Sequence, residues 1–108
     1  MLYKIGDFAK ITNTSVKTLR FYGDISLLIP ERVDVFTGYR YYNGEQIERL
    51  KLIQRLKDLG FSLEEIRKNI DNLTDDIFLS KRAEFIDKIN DYKGKIKRID
   101  MFRSQLKG

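Results

Sequence analysis

Apolar positions change rhythm several times along the 108 residues. Tyr3, Ile5, Phe8 and Ala9 form the first set, and the spacing of the last three is helical. Ala9 is small enough to let a second helix approach closely. Thr12-Asn13-Thr14-Ser15 breaks the pattern with cap-type residues, and Asn13 tolerates left-handed backbone better than most side chains. Ser15 is placed to cap a second helix that runs to about Tyr22 and ends at Gly23. Two short helices joined by a three- or four-residue turn make a helix-turn-helix, a pair that many helical proteins also contain.

Pro30, the only proline, closes the Leu27-Leu28-Ile29 run. The period then falls to two. Arg32-Val33-Asp34-Val35 alternates, Thr37-Gly38 supplies a turn, and Tyr39 to Tyr42 is rich in β-formers, so Glu31 to Tyr42 reads as a two-stranded hairpin, or wing. Asn43 with Gln46 resembles a capping box opening a helix to about Leu59. Its Ile47, Leu50, Leu52, Ile53, Leu56 and Leu59 cover a wide face, as in a central core helix. Gly60 stops it, and Ser62 with Glu65 opens a short helix through about Ile70.

From Asp75 a heptad takes over. Phe78, Phe85, Tyr92, Ile99 and Leu106 recur every seven residues, with Ile89 and Ile96 at intervening core positions and Arg82 and Arg103 at the other two. Thirty helical residues span roughly 45 Å, too long to fold back on so small a domain, so the stripe needs a partner. The two arginines fit it by pairing with acids of that partner, such as Asp75, Asp76, Glu84 or Asp100, or by lying near solvent. The expected division is a domain at 1–72 and a coiled-coil helix at 73–108, with no internal repeat.

Net charge is +5 and the pI is near 9.5, which favours an anionic partner. Residues 1–56 carry nine Lys/Arg against six acids, and residues 81–108 nine against four. With no cysteine and no histidine, thiolate metal sites, disulfides and the commonest general base are excluded. No nucleophile–base set or phosphate-binding glycine loop is visible, so no enzyme, catalytic residue, metal or cofactor is expected. No apolar run reaches membrane-span length and no signal segment opens the chain, so the expectation is a soluble, cytoplasmic protein.

Candidate binding residues cluster in two places. Lys17 and Arg20 lie three apart and share a helix face, flanked by Thr18 and Tyr22 and preceded by Ser15. Donors on one face near a helix N-terminus suit a major groove; the bland alternative is a solvated charged face. Lys17 and Arg20 suit base edges and Tyr22 a phosphate, while Phe21 suits a sugar or thymine methyl, or the core. In the wing, Tyr39, Arg40 and Tyr41 are the candidates, Arg40 through its bidentate fork. Tyr39 and Tyr41 face one side and Arg40 and Tyr42 the other, so either Tyr42 or Tyr39 is structural.

These residues resemble the MerR family of bacterial transcription regulators, in its DNA-binding half and dimerisation helix, over essentially the whole chain. Ile5-Gly6-Asp7-Phe8-Ala9-Lys10, Ser15 with Thr18-Leu19-Arg20-Phe21-Tyr22, Leu27-Leu28 with Pro30, Gly38-Tyr39-Arg40 with Tyr42, and Leu59-Gly60-Phe61-Ser62-Leu63-Glu64-Glu65-Ile66 match the family's motifs in order and spacing. Asn13-Thr14 stands where Gly-Val is usual, Gly23 where an acid is common, and Ser26 where glycine is common. The resemblance implies a mainly α fold: a winged helix-turn-helix with a small β-hairpin wing, then a long helix forming an antiparallel coiled coil between two subunits. It implies a homodimer on a pseudo-palindromic promoter spacer in double-stranded DNA, bending and untwisting it for RNA polymerase, as an activator does. Phe78, Phe85, Ile89, Tyr92, Ile96, Ile99 and Leu106 would form the dimer seam. Family members usually carry a C-terminal effector domain, which is not within these residues. The lack of cysteine resembles the drug- or small-molecule-sensing branch more than the metal-sensing one. The rival readings are a basic coiled-coil protein-interaction module and an excisionase-like architectural DNA-bending factor.

Overall fold

The computed structural model describes residues 1–108 and divides them into two units, Met1–Asp71 and Asn72–Gly108. The first opens with a strand that the apolar pattern does not announce, β1 (Leu2–Lys4). It pairs antiparallel with a strand at Arg40–Asn43, placing Tyr3 opposite Tyr42. A two-residue strand at Arg32–Val33 pairs with the other edge of Arg40–Asn43, with Arg32 opposite Tyr41. Numbered along the chain, Arg32–Val33 is β2 and Arg40–Asn43 is β3, and the sheet order is β1-β3-β2. The wing is therefore part of a three-stranded sheet rather than a free two-stranded hairpin. Three residues are too few to display a period, and their pairing is with residues almost forty positions away.

Helix α1 (Ile5–Thr12) ends on Asn13 at φ 50° and ψ 43°. The amides of Asn13 and Thr14 return to the carbonyls of Lys10 and Ala9 at 3.3 and 3.0 Å, so the left-handed residue satisfies the helix end as glycine would. Helix α2 (Val16–Asp24) follows, capped by the Ser15 hydroxyl, which accepts from the Thr18 amide at 3.0 Å. It runs through Gly23 instead of stopping there. The stop is Ser26, at φ 62°, with its amide bonded to the Gly23 carbonyl and that of Leu27 to the Tyr22 carbonyl. Ser26 thus takes the left-handed position at which glycine is usual.

Asn43 and Gln46 make the reciprocal pair of a capping box, each amide donating to the other's side-chain oxygen at 3.0 and 2.9 Å. The helix they open, α3 (Glu45–Asp58), buries Leu50, Ile53 and Leu56, while Leu59 lies beyond its end and is exposed. Gly60 turns the chain at φ 94°. The capping box of Ser62 and Glu65 then opens α4 (Leu63–Asn69). α3 also braces the helix-turn-helix: Gln54 Nε2 donates to Thr14 Oγ1 at 3.0 Å, and Arg49 Nε to the Leu27 carbonyl at 3.2 Å.

The core gathers Phe8, Leu19, Leu27, Leu28, Tyr42, Leu50, Ile53 and Ile66. At about 1.5–3 kcal/mol per large side chain, this burial dominates the stability of the unit. At its edge the rings of Phe8 and Tyr42 stack, with centroids 4.5 Å apart and planes 13° from parallel. The Tyr42 hydroxyl is buried without a hydrogen-bond partner. Burial pushes its pKa above the ordinary tyrosine value, against the opposing charges of Arg40 and Arg20.

In the second unit, α5 (Asp75–Lys107) is one helix of 33 residues, about 50 Å long. Along the heptad stripe, Phe85, Ile89, Tyr92, Ile96, Ile99 and Leu106 are 38–88% exposed, and Phe78 is 38% exposed. Charged pairs line its sides. Glu84 takes Lys81 and Lys88 at 2.9 and 3.2 Å, and these hydrogen bonds hold its carboxyl below the usual range. Arg103 pairs with Asp100 one turn away on its own helix, at 2.9 Å. No helix is long and apolar enough to cross a membrane.

Candidate nucleic-acid interface

Two buried side chains decide which face α2 displays. Leu19 and Tyr22, three apart, are 0 and 3% exposed and pin the helix to the core. Helical geometry then turns Lys17, Arg20, Phe21 and Asp24 outward, at the i, i+3, i+4 and i+7 spacing of a single face. Lys17 and Arg20 are exposed, as expected, and Phe21 is 48% exposed, which places it on the displayed face and not in the core. Ser15 donates its hydroxyl proton to Thr18 Oγ1 at 2.8 Å, so the Thr18 hydroxyl keeps its own proton for an outside acceptor.

Tyr22, expected to donate its hydroxyl to a phosphate, is only 3% exposed. Its ring is core, and its hydroxyl accepts from Lys57 Nζ of α3 at 3.2 Å. The physical reason is the helical period: a residue three along from Leu19 shares its face, and the core claims the large ring.

Arg40 makes contacts that the wing motif does not announce. Its guanidinium lies on α2, donating from Nη1 to the Arg20 carbonyl at 3.3 Å and pairing through Nη2 with Asp24 at 3.4 Å. These contacts join wing to helix and leave the guanidinium partly exposed, with further N–H donors beyond the two used here. Gly23 makes room for it, since a Cβ there would stand 2.8 Å from Arg40 Nη1. Arg20, Gly38, Tyr39 and Arg40 line one concavity of about 300 Å³ with Lys4 and Gly6, so the helix, the wing and the start of α1 share a surface.

On the other face of β3, the Arg32 guanidinium sits 4.8 Å from the centre of the Tyr41 ring. Tyr42 is the structural wing tyrosine, and Tyr39 is 59% exposed. The wing tip is a tight turn. Asp34 Oδ1 accepts from the amides of Phe36 and Thr37, both at 2.9 Å. The Thr37 and Phe36 amides hold the Asp34 carboxyl below its ordinary pKa. Gly38, at φ 74°, completes the turn.

Three contributions escape the motif reading. Arg32 is visible only through its register opposite Tyr41. Lys57 is known only from its reach to Tyr22. Val35 and Phe36 stand 88 and 94% exposed at the tip, and the signal for that presentation is Asp34 three residues before Thr37, an Asx-turn spacing. No group of histidines, cysteines or carboxylates could hold a metal ion.

The fold and this surface define a winged helix-turn-helix protein with a long C-terminal helix. A model of the MerR HTH family of regulatory proteins matches residues 3–73, and a second, described as MerR, DNA binding, matches residues 47–108. The chain belongs to the MerR family. It is 43% identical over 76 residues to the multidrug-efflux transporter 1 regulator of Bacillus subtilis (strain 168), covering 70% of this chain and 27% of that protein. It spans about a quarter to a third of the length of such curated relatives. Among solved structures, the N-terminal part of the Bacillus subtilis multidrug transporter activator Mta superposes with a TM-score of 0.78 at 33% identity, covering 91% of this chain and 94% of that one. An EcmrR–DNA complex superposes with a TM-score of 0.77 at 30% identity, covering 95% and 39%. HiNmlR, a family regulator lacking the sensor domain and bound to promoter DNA, gives 0.59 at 27%, covering 99% and 86%.

Gly23→Ala tests the bridge between wing and helix. The substitution favours the helix by about 0.5–1 kcal/mol and displaces only the flexible end of Arg40. Thermal unfolding should stay level or rise, while the Arg40 guanidinium protons lose their protection in NMR exchange. A large drop in stability would show instead that Gly23 serves the fold itself.

Proposed function

We propose that the chain is a promoter-binding transcription regulator that works as a homodimer. The observation that carries this is the outward face of α2, which presents Lys17 and Arg20 beside a braced wing. In this reading, Lys17 and Arg20 read base edges in the major groove. Ser15 and Thr18 contribute hydroxyls near the helix N-terminus, and Phe21 meets a sugar or a thymine methyl. Tyr39, Arg40 and Tyr41, with Arg32, hold the backbone, and the Tyr22 hydroxyl donates to a phosphate from its seat beside Lys57, while Arg40 also keeps the wing and helix in position. The complexes of EcmrR and HiNmlR with DNA support this reading.

The apolar stripe of α5 joins a second copy as an antiparallel coiled coil through Phe78, Phe85, Ile89, Tyr92, Ile96, Ile99 and Leu106. Two copies suit a pseudo-palindromic element. Bending and untwisting a promoter spacer costs several kcal/mol, which the paired sets of contacts offset, and this sets the promoter elements for RNA polymerase. The aromatic wing and the lack of cysteine within these residues support the small-molecule branch of the family over the metal-sensing branch.

Binding to a duplex selected from a random pool should weaken steeply with salt, by a slope of about 0.9 per phosphate neutralised. Lys17→Ala or Arg20→Ala should relax sequence preference, with about 1–3 kcal/mol of discrimination lost per base contact. A salt-independent affinity, or equal loss on every sequence, would contradict the assignment. For the dimer, Ile89→Glu with Ile96→Glu should sediment as a monomer at concentrations where the parent is a dimer. A parent that is itself monomeric would sink the seam.

A further inference from the structure

We propose that Val35 and Phe36 form an apolar wedge at the wing tip that enters the DNA minor groove and unstacks a base step. The proposal rests on the DNA-binding reading above and adds the device that distorts the duplex. Val35 and Phe36 are adjacent and almost fully exposed, and Val33 and Tyr39 on the same wing are 49 and 59% exposed. The core therefore does not account for the two tip side chains.

The tip is also rigid. Beyond the two bonds to its carboxylate, Asp34 accepts the Gly38 amide at its carbonyl at 2.8 Å and donates its own amide to the Tyr39 carbonyl at 2.9 Å. Thr37 Oγ1 accepts the Tyr39 amide at 3.2 Å. Five hydrogen bonds thus hold the turn that presents Phe36, so little ordering cost falls on binding.

Charge and size select the partner. Asp34 is the only acid of the tip, and its carboxylate is turned inward onto two amides. Arg32 and Arg40 flank the turn on β2 and β3. A protein partner of ordinary stability needs about 800 Å² from each side, far more than two side chains provide. A minor groove is about 6 Å wide, which admits a turn tip but not a helix. Apolar side chains inserted between base steps, beside cations, are how minor-groove proteins kink DNA.

The test uses the 108-residue chain and a duplex selected by it from a random pool, with donor and acceptor dyes at the two ends. Phe36→Ala should lower affinity roughly ten-fold and reduce the bend read by energy transfer. The slope of affinity against salt should not change, because an apolar contact releases no counterion. Phe36→Trp should retain affinity. The chain has no tryptophan, so the new indole is the sole reporter, and stacking on bases should quench it and shield it from acrylamide. Because position 36 lies in solvent, both variants should unfold at the parent's midpoint. If Phe36→Ala binds and bends the duplex as the parent does, the wedge is wrong while the DNA reading stands. An indole that stays open to acrylamide in the complex overturns it equally and leaves the tip to a protein partner. If the parent selects no duplex at all, both readings fall together.

Discussion

The stack of Tyr42 on Phe8 is the contact on which the arrangement of the binding surface depends. Tyr42 lies in β3, the central strand, and its ring is fully buried against the first helix. A strand alternates faces with every residue, so fixing one side chain fixes the others. With Tyr42 inside, Arg40 two residues earlier falls on the same side and meets α2, while Tyr41 turns away and meets Arg32. A slip of one residue would exchange these roles, setting Tyr41 or Asn43 against Phe8 and turning Arg40 away from α2.

The same economy governs α2. Burying Leu19 and Tyr22 sets the rotation of the helix, and the exposed face follows without further interactions. The cations of the surface then divide into two kinds. Lys17 and Arg20 point into solvent, whereas Arg40 and Lys57 are engaged with neighbouring elements. The Arg40–Asp24 pair is partly exposed, and such pairs contribute only about 0–1 kcal/mol. Its value lies in geometry: it joins the wing to the C-terminal end of α2, so the two elements present one surface.

Much of this was legible in the residues because it is local. Asn13 announces a left-handed turn, Ser15 and Ser62 announce caps, and Gly38 a tight turn, each from chemistry within four positions. The heptad of α5 is equally plain. What escaped is set by distant partners. Gly23 reads as a helix stop when only its neighbours are considered, yet it is an opening for a side chain seventeen residues away. β1 has no pattern of its own and exists because β3 offers an edge. Tyr22 carries both a ring and a hydroxyl, and its role depends on which of them the core needs.

The wing and helix therefore form a surface whose parts are set by burial on the opposite side. In the second unit, α5 repeats the theme with the reverse outcome: its apolar stripe is left at the surface, where a second copy can cover it. The measurement that tests the central claim most directly is an amide NMR titration of the chain with its selected duplex. Shifts should concentrate at Ser15 to Phe21 and at Val35 to Tyr41, with α4 unmoved. Shifts confined to α4 or α5, with the helix-turn-helix and wing silent, would contradict the account.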